Sequence, residues 1–239
     1  MKAFTLIQHV LTALYLGLMA LVWGVPIAPA LFVFNELNSL ELGNGLWIGY
    51  LVTGISAAFA FMTWGFSLLL FSGLLQAIIH PRVGAEGKVV PLFSATTVGW
   101  ASCAMLHKSV QPFLNLVCPS MFANMYYRLA GVKLGSDINI TSDSINDPSL
   151  VRIGSGTVVG GNAAINGHIV EKGQLVLAPV VIGDNCVVGG GSIMMPGSKL
   201  GNNSVLGNRA LLPKYREVPD GEVWAGIPAA QISVRSSRD

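Results

Sequence analysis

One histidine stands in the glycine-rich C-terminal half of this chain, and its type and position suggest chemistry. His168 follows Asn166 and Gly167, a dipeptide that favours a tight turn with positive φ. It is the only histidine after His107. An imidazole with an unperturbed pKa of ~6.5 exchanges protons near neutral pH, so His168 is a candidate for proton transfer. The alternative is an ordinary surface histidine at a bend of the chain.

Three carboxylates are candidate partners of His168, namely Asp143, Asp147 and Glu171. A carboxylate beside an imidazole fixes its tautomer and stabilises the imidazolium that forms when a proton is taken up. Asp143 and Asp147 belong to the irregular stretch ITSDSINDPSLV, residues 140–151, in which Ser-Asp-Ser and Asp-Pro are also ordinary turn sequences. The same stretch is alternatively an active-site loop that leaves the surrounding structure. All three acids therefore stay open as partners.

The element that must position these residues is a six-residue repeat of inward-pointing aliphatic side chains. The series runs Leu134, Ile140, then Ile153, Val159, Ile165, then Val170, Val176, Ile182, Val188, Met194, Leu200, Leu206 and Leu212. This period fits neither a helix face nor an alternating strand, but it fits a parallel β-helix with coils of ~18 residues and three flat faces. Glycines directly after many of these residues are expected to let the backbone turn each corner. The register slips once, from Ile165 to Val170, and the slip surrounds His168.

Three segments of the chain resemble hexapeptide-repeat acyltransferases. They are RLAGVKLG at 128–135, IGDNCVVGGGSIMMPGSKLGNNSVLG at 182–207 and VWAGIPAA at 223–230. The resemblance implies a left-handed parallel β-helix, a homotrimer, and binding of acyl-CoA or an acyl carrier between subunits. Within that family the chain is most similar to the membrane-bound C-terminal modules of poly-lysine-synthetase-type peptide synthetases. No adenylation or carrier domain is expected in these residues, so peptide-bond chemistry would need a donor from another molecule.

The resemblance also implies roles for individual residues. His168 would be the general base that deprotonates the attacking hydroxyl or amine. The implied donor site lies in the last coils and the segment after them: Arg209, Lys214, Arg216, Trp224, Gly226, Ile227 and Pro228. The three basic residues would meet the phosphates of coenzyme A, although a solvated basic face explains them equally well. The others match the family's GxPA ending beside the pantetheine arm. Coenzyme A or an acyl-carrier thioester would be a co-substrate, with no permanently bound cofactor.

Residues 1–88 are predicted to form two transmembrane helices. The runs 4–34 and 46–79 are apolar and long enough to cross a hydrocarbon layer of ~30 Å. Pro26 and Pro29 are expected to kink or end the first helix, and residues 35–44 are expected to form a polar external loop.

Basic residues set the expected orientation of the two helices. Lys2 precedes the first, Arg82 and Lys88 follow the second, and the connection between the helices has no basic residue. The positive-inside rule therefore places both ends, and the β-helix, in the cytosol.

The middle segment, residues 89–131, has two open readings. Interfacial amphipathic helices would place Trp100, Tyr126 and Tyr127 at the depth of the lipid headgroups. A third transmembrane helix broken by Pro112 is the alternative. The β-helix domain is expected at 132–232, with its apolar first coil capped by the preceding helices, and residues 233–239 are expected to be a C-terminal tail.

Composition excludes several classes of function. The 14 basic and 12 acidic residues give a net charge of +2, too small and dispersed for nucleic-acid binding. The three cysteines have no paired spacing, which argues against a disulfide framework or structural zinc. A carbonic-anhydrase-type zinc site needs three histidines, but the repeat region has one.

Two functions remain from the sequence. The first is a membrane-bound acyltransferase that moves an acyl group from a cytosolic thioester to an amine or hydroxyl of an amphiphilic or membrane-presented acceptor. The second is a non-enzymatic, membrane-anchored trimeric scaffold that binds a soluble partner. The register slip at His168 favours the enzyme.

Overall fold

Two long apolar helices open the chain, α1 (Lys2–Asn38) and α2 (Leu46–Ile79). The computed structural model describes residues 2–40 and 45–234, with side chains from residue 13 onward in these ranges. By internal contacts the chain divides into two units, Met1–Ser72 and Gly73–Asp239. The division falls inside α2.

The first unit is a helix pair. The indole Nε1 of Trp64 donates a hydrogen bond to the carbonyl of Trp23 at 3.3 Å, and the two rings meet edge to face at 5.7 Å. α1 continues through Pro26 and Pro29, so neither proline ends it. Residues 35–38 are helical, which corrects the loop predicted from residue 35, and residues 41–44 lie outside the described part.

Both helices of this pair have the length and composition of membrane spans. Among the described residues, Ala13–Asn38 and Leu46–Ile79 are the two stretches long and apolar enough to cross a bilayer, by those criteria alone. Large apolar side chains such as Leu21, Phe32 and Phe59 are exposed along them.

Two further helices belong to the second unit, α3 (Ala95–Val117) and α4 (Met121–Ala130). The hydroxyls of Ser94 and Ser120 cap their N-termini by accepting hydrogen bonds from the backbone three residues on. Each helix buries one face at helical spacing, and Tyr126 and Tyr127 on α4 are fully buried. The rings of both tyrosines pack inside the domain, so neither presents its hydroxyl to a lipid surface.

Seventeen short strands make up the rest of the second unit within the described residues. They are β1 (Lys88–Pro91), β2 (Lys133–Leu134), β3 (Asn139–Ile140), β4 (Val151–Ile153), β5 (Val158–Val159), β6 (Ala164–Ile165), β7 (His168–Glu171), β8 (Gln174–Leu177), β9 (Val180–Ile182), β10 (Val187–Val188), β11 (Ile193–Met194), β12 (Lys199–Leu200), β13 (Val205–Leu206), β14 (Leu211–Leu212), β15 (Glu217–Val218), β16 (Glu222–Gly226) and β17 (Ala229–Val234).

Three sheets form the faces of a parallel β-helix. Their strand orders are β2-β4-β9-β12-β15, β3-β5-β10-β13-β16-β17 and β6-β11-β14. All neighbours are parallel except β16 and β17, the second of which folds back at the C-terminal end. Ile182 pairs with Leu200 and Leu200 with Val218, each buried, so a regular coil takes three hexads of sequence. The predicted β-helix is confirmed.

The glycines that follow the inward residues have a different role from the one predicted. A Cβ on Gly183 would lie 2.8 Å from Asn202 N, and one on Gly189 would lie 2.5 Å from Asn208 N, both in the next coil. These glycines permit the close approach of successive coils. The corners are turned two residues later, at positions with positive φ: Asn185, Gly191, Gly197, Asn203, Arg209, Tyr215 and Gly221.

The register slip at His168 is an insertion. Ile165 and Ile182 occupy inward positions on successive faces of the coil. In a regular coil such positions are one hexad apart, but here nearly three hexads of sequence separate them. The inserted segment is one residue short of two hexads. In a count by six it therefore looks the same as the predicted slip, which is one residue short of a single hexad. Val170, 51% exposed, and Val176 consequently do not belong to the inward series as predicted.

The inserted residues form a β-hairpin that leaves the coil. β7 pairs with β8 in antiparallel register from His168 with Leu177 to Glu171 with Gln174. Lys172 and Gly173 make the two-residue turn, both at positive φ as a type I′ turn requires. β1 adds to the other edge of β8, giving a further sheet, β1-β8-β7.

Gly167, where the hairpin leaves the coil, should not tolerate a side chain. A Cβ there would lie 2.7 Å from the Leu150 Cβ and 3.2 Å from the Asp147 Cβ. We expect Gly167→Ala to destabilise the protein by about 1–3 kcal/mol through overpacking. Gly161→Ala is the matched control, since its nearest atom would be 3.9 Å away. Equal melting temperatures for the two variants in detergent would contradict the tight packing at Gly167.

Candidate active site

His168 and Asp147 form a hydrogen-bonded pair where the hairpin leaves the coil. The Nδ1 atom of His168 lies 2.7 Å from Oδ2 of Asp147. The Asp147 side chain is 2% exposed and that of His168 is 28% exposed. The pair therefore combines a buried carboxylate with an imidazole that solvent reaches.

Asp147 accepts hydrogen bonds from three donors, two at the start of the hairpin and one on α3. Its Oδ2 also accepts from the backbone N–H of Gly167 at 2.7 Å, and its Oδ1 accepts from Nε1 of Trp100 on α3 at 2.8 Å. All three partners are N–H groups, so the carboxylate acts only as a hydrogen-bond acceptor. A buried carboxylate satisfied in this way is fixed in position.

Trp100 also holds the imidazole directly. Its ring centroid lies 4.5 Å from that of His168, with the planes tilted by 52°. The imidazole thus has a hydrogen bond at Nδ1 and an aromatic face against one side. Sequence reasoning placed Trp100 at the membrane surface and missed this role, because the contact joins residues far apart in the chain.

This arrangement determines which nitrogen is available for chemistry. Because Asp147 accepts at Nδ1, that nitrogen carries the hydrogen and Nε2 of the neutral ring has a free lone pair. Nε2 of His168 has no hydrogen-bond partner among the described residues. An imidazole with a carboxylate behind it and an open Nε2 can remove a proton from a bound hydroxyl or amine.

The other two candidate acids do not contact His168. The Asp143 carboxylate accepts from Asn115 at 3.2 Å and from Ser144 at 3.1 Å. Glu171 lies on the same hairpin as His168 but forms an exposed ion pair with Lys214 at 2.7 Å. Of the three predicted acids, the structure brings only Asp147 to the imidazole.

The stretch 140–151 stays in the coil instead of leaving it as a loop. Ile145 forms a parallel bridge with Ile165 on the next coil, and a 3-10 turn at Pro148–Leu150 leads into β4. Asp147 is therefore held by the coil itself, while His168 comes from the inserted hairpin.

Helices α3 and α4 supply the donors that this first coil lacks. Tyr127 donates to the carbonyl of Ser142 at 2.8 Å, and Arg128 donates to the carbonyls of Leu134 and Gly135 at 2.7 and 2.6 Å. The predicted capping of the first coil by the preceding helices is confirmed.

A buried histidine belongs to the same cap. Nε2 of His107 donates to the carbonyl of Asp143 at 3.2 Å, which leaves Nδ1 to accept from the Tyr126 hydroxyl at 2.8 Å. Tyr126 in turn accepts from Nε2 of Gln76 at 3.0 Å. Burial lowers the pKa of His107 to about 4, although the Asp143 carbonyl and nearby carboxylates act in the opposite direction. His107 is therefore neutral at pH 7.

The thiols of this region offer no nucleophile at neutral pH. Burial, reinforced by nearby carboxylates, raises the pKa of Cys103 and of Cys118 to about 12. Both cysteines therefore stay protonated at neutral pH.

The residues predicted to bind the donor are spread along the last coils. The guanidinium carbon of Arg216 lies 5.9 Å from the Trp224 ring centroid, and Lys214 is paired with Glu171. Arg209 occupies a corner with φ 56°. The ending bends back at Gly226, with φ 97°, next to the exposed Ile227 and Pro228.

Comparison with known proteins identifies the repeat. Residues 179–214 match the family described as bacterial transferase hexapeptide (six repeats), so this segment is hexapeptide-repeat sequence. A comparison with curated proteins gave no match.

Several solved structures resemble the chain at low identity. A hexapeptide-repeat containing acetyltransferase from Vibrio cholerae is 16% identical over 56% of this chain and 93% of its own, with a TM-score of 0.44. A maltose O-acetyltransferase from Clostridium difficile is 19% identical over 63% and 94%, with a TM-score of 0.49. A galactoside acetyltransferase solved in complex with coenzyme A is 20% identical over 64% and 89%, with a TM-score of 0.46.

The lowered pKa of His107 predicts acid sensitivity. Below its ordinary pKa of 6.5 the unfolded chain binds a proton that the folded protein excludes down to about pH 4. Folding stability should therefore fall as the pH drops through this window, by on the order of 3 kcal/mol. The melting temperature of His107→Gln should depend less on pH between 6.5 and 4 than that of the wild type. Parallel curves for the two proteins would exclude His107 as the cause.

Proposed function

We propose that this hexapeptide-repeat protein is a membrane-bound acyltransferase. It would move an acyl group from a cytosolic thioester to an amine or hydroxyl of an amphiphilic or membrane-presented acceptor. The observation that carries the proposal is the pair of His168 with the buried Asp147, which leaves Nε2 of the imidazole open at the surface. The match of residues 179–214 to a bacterial transferase repeat supports it.

In the proposed reaction, His168 acts as the general base. Its Nε2 removes the proton from the acceptor's hydroxyl or amine as that atom attacks the carbonyl carbon of the thioester. The carbon–sulfur bond then breaks, and the proton passes from the imidazolium to the departing thiolate, giving an ester or amide and a free thiol. Asp147 stabilises the imidazolium between these steps and keeps the hydrogen on Nδ1.

For the donor, we propose the surface of the last coils. Arg209 and Arg216 would supply positive charge for the phosphates of coenzyme A, and Lys214 would join them by exchanging its contact with Glu171 for a phosphate. The exposed ending at Gly226, Ile227 and Pro228 would lie beside the pantetheine arm with Trp224. The exposure of Ile227 and the contact of Arg216 with Trp224 support a binding surface there. An acyl or peptidyl carrier protein is the alternative donor, as the resemblance to poly-lysine-synthetase modules implies.

The proposed assembly and location rest on the helix pair and the repeat. We propose that Ala13–Asn38 and Leu46–Ile79 span the membrane, with the β-helix in the cytosol, as the basic residues at both ends favour. We also propose a left-handed coil and a homotrimer, in which a neighbouring subunit supplies the second wall of the site. The family resemblance supports both proposals.

Replacement of His168 tests the mechanism. In detergent-purified protein with a panel of acyl-CoAs, His168→Ala should lower the rate of thiol release by about 10²–10⁴-fold, the usual contribution of a general base. Asp147→Asn should lower it as well, because an amide cannot accept from all three donors. Gln174→Ala, exposed on the same hairpin, is the control and should keep wild-type turnover.

Three outcomes are informative beyond loss of turnover. Unchanged thiol release in His168→Ala with the oligomer intact would overturn the general-base mechanism. Thermal stabilisation by coenzyme A would support a CoA donor. No stabilisation by any CoA and no turnover would favour a carrier-protein donor or the scaffold function.

A further inference from the structure

A cavity with basic walls opens where α2 ends. Its volume is about 440 Å³, and His80, Arg82, Lys133 and Arg152 line it, with no carboxylate among the lining residues. A cavity of this size accommodates a small ligand or a headgroup. Its charge selects an anion.

The strand register places two of these cations face to face. Lys133 on β2 is the direct partner of Arg152 on β4, so two like charges stand opposite each other on neighbouring coils. Like charges in this position destabilise a sheet unless a counter-charge lies between them. The other cation on this face has a counter-charge within the protein: Lys199 on β12 forms an ion pair with Glu217 on β15 at 3.4 Å.

The protein itself does not neutralise this group. Among the described residues, Arg82, Lys133 and Arg152 form no ion pair. Glu86 lines an adjoining cavity together with Arg152, and Asp184 lines another with Lys133 and Arg152, but neither reaches ion-pair distance. The three positive charges are available to an external anion.

The backbone and His80 shape the cavity. Gly131 lines it without a side chain, at the left-handed end of α4 where φ is 111°. The Nδ1 atom of His80 donates to the carbonyl of Gln76 at 3.0 Å, which orients the imidazole. His80 and Arg82 directly follow Ile79, the last residue of a candidate membrane span, so the cavity would lie at the level of the lipid headgroups.

We propose that this cavity binds a phosphoryl group, carried on a lipid headgroup or on a soluble phosphate ester. Two guanidinium groups and an ammonium match the several oxygens of a phosphoryl group, and Arg can bind two of them at once. The cation content and the register carry this proposal, which does not depend on acyl transfer. Only the position at the membrane surface rests on the proposed function.

A soluble probe tests the binding chemistry. Full-length protein in detergent is titrated with inorganic pyrophosphate at constant ionic strength, and the shift in melting temperature is recorded. We expect saturable stabilisation of the wild type and a loss of affinity of at least ~10-fold in the double variant Lys133→Gln, Arg152→Gln, since each removes charge-assisted hydrogen bonds. Lys199→Gln is the matched control on the same face and should bind like the wild type.

The double variant is expected to fold, because it removes a repulsive pair. Without pyrophosphate its melting temperature should equal or exceed that of the wild type. If the variant does not fold, Arg82→Gln repeats the test from outside the strands.

A second arm distinguishes the sources of the phosphoryl group. The protein is reconstituted in nanodiscs of phosphatidylcholine alone or with phosphatidic acid, and pyrophosphate is titrated again. Competition by phosphatidic acid in the wild type, absent in the double variant, indicates a lipid headgroup. Unaltered pyrophosphate affinity in both nanodiscs indicates a soluble phosphate ester.

Two results would overturn the proposal. One is the absence of saturable pyrophosphate binding, together with no effect of phosphatidic acid. The other is an equal loss of affinity in Lys199→Gln, which would mean diffuse surface attraction. His168→Ala should still bind pyrophosphate, so a failure of the acyltransferase mechanism remains distinguishable from a failure of this site.

Discussion

The first coil of a β-helix has no earlier coil to pair with, and the second unit of this protein is organised around that need. Side chains of α3 and α4 donate to the carbonyls that an earlier coil would otherwise satisfy, including those of Ser142 and Asp143. The same helices bury a neutral histidine and two tyrosines to do so. Because this cap fixes the segment before Pro148, it also fixes Asp147, and Trp100 on α3 completes the hydrogen bonds of that carboxylate.

The stacking of the coils explains why the imidazole comes from a hairpin. Successive coils approach so closely that Gly183 and Gly189 have no room for a Cβ, and every regular face takes one hexad. Additional residues therefore have to leave the coil. The inserted segment leaves beside Asp147 and presents His168 to it, so a rigid repeat acquires a solvent-accessible imidazole without disturbing the pairing of its faces.

Much of this fold could be predicted from the sequence, because hexad spacing is a local property. The inward series from Ile182 to Leu212 was correct, and the structure brings His168 together with Asp147, one of its three candidate partners. What failed were features set by distant contacts. Counting residues in sixes cannot distinguish a slip of one position from an insertion that is one residue short of two hexads. For this reason Val170 was wrongly included in the inward series. Tyr126 looked interfacial because its apolar ring and hydroxyl suit a membrane surface as well as the buried cap it occupies.

The strand β8 lies between β7 of the hairpin and β1, and β1 comes from the segment that precedes α3. The sheet of the hairpin is thus completed by a strand that precedes α3 and α4 in the chain, whereas the first coil follows them. A fragment cut at the start of the repeat would expose one edge of β8, whose free N–H and C=O groups can recruit strands from other molecules. The repeat is consequently not expected to behave as an independent domain. Without the chain that precedes it, it would have an exposed strand edge that promotes aggregation, and its solubility would depend on covering that edge.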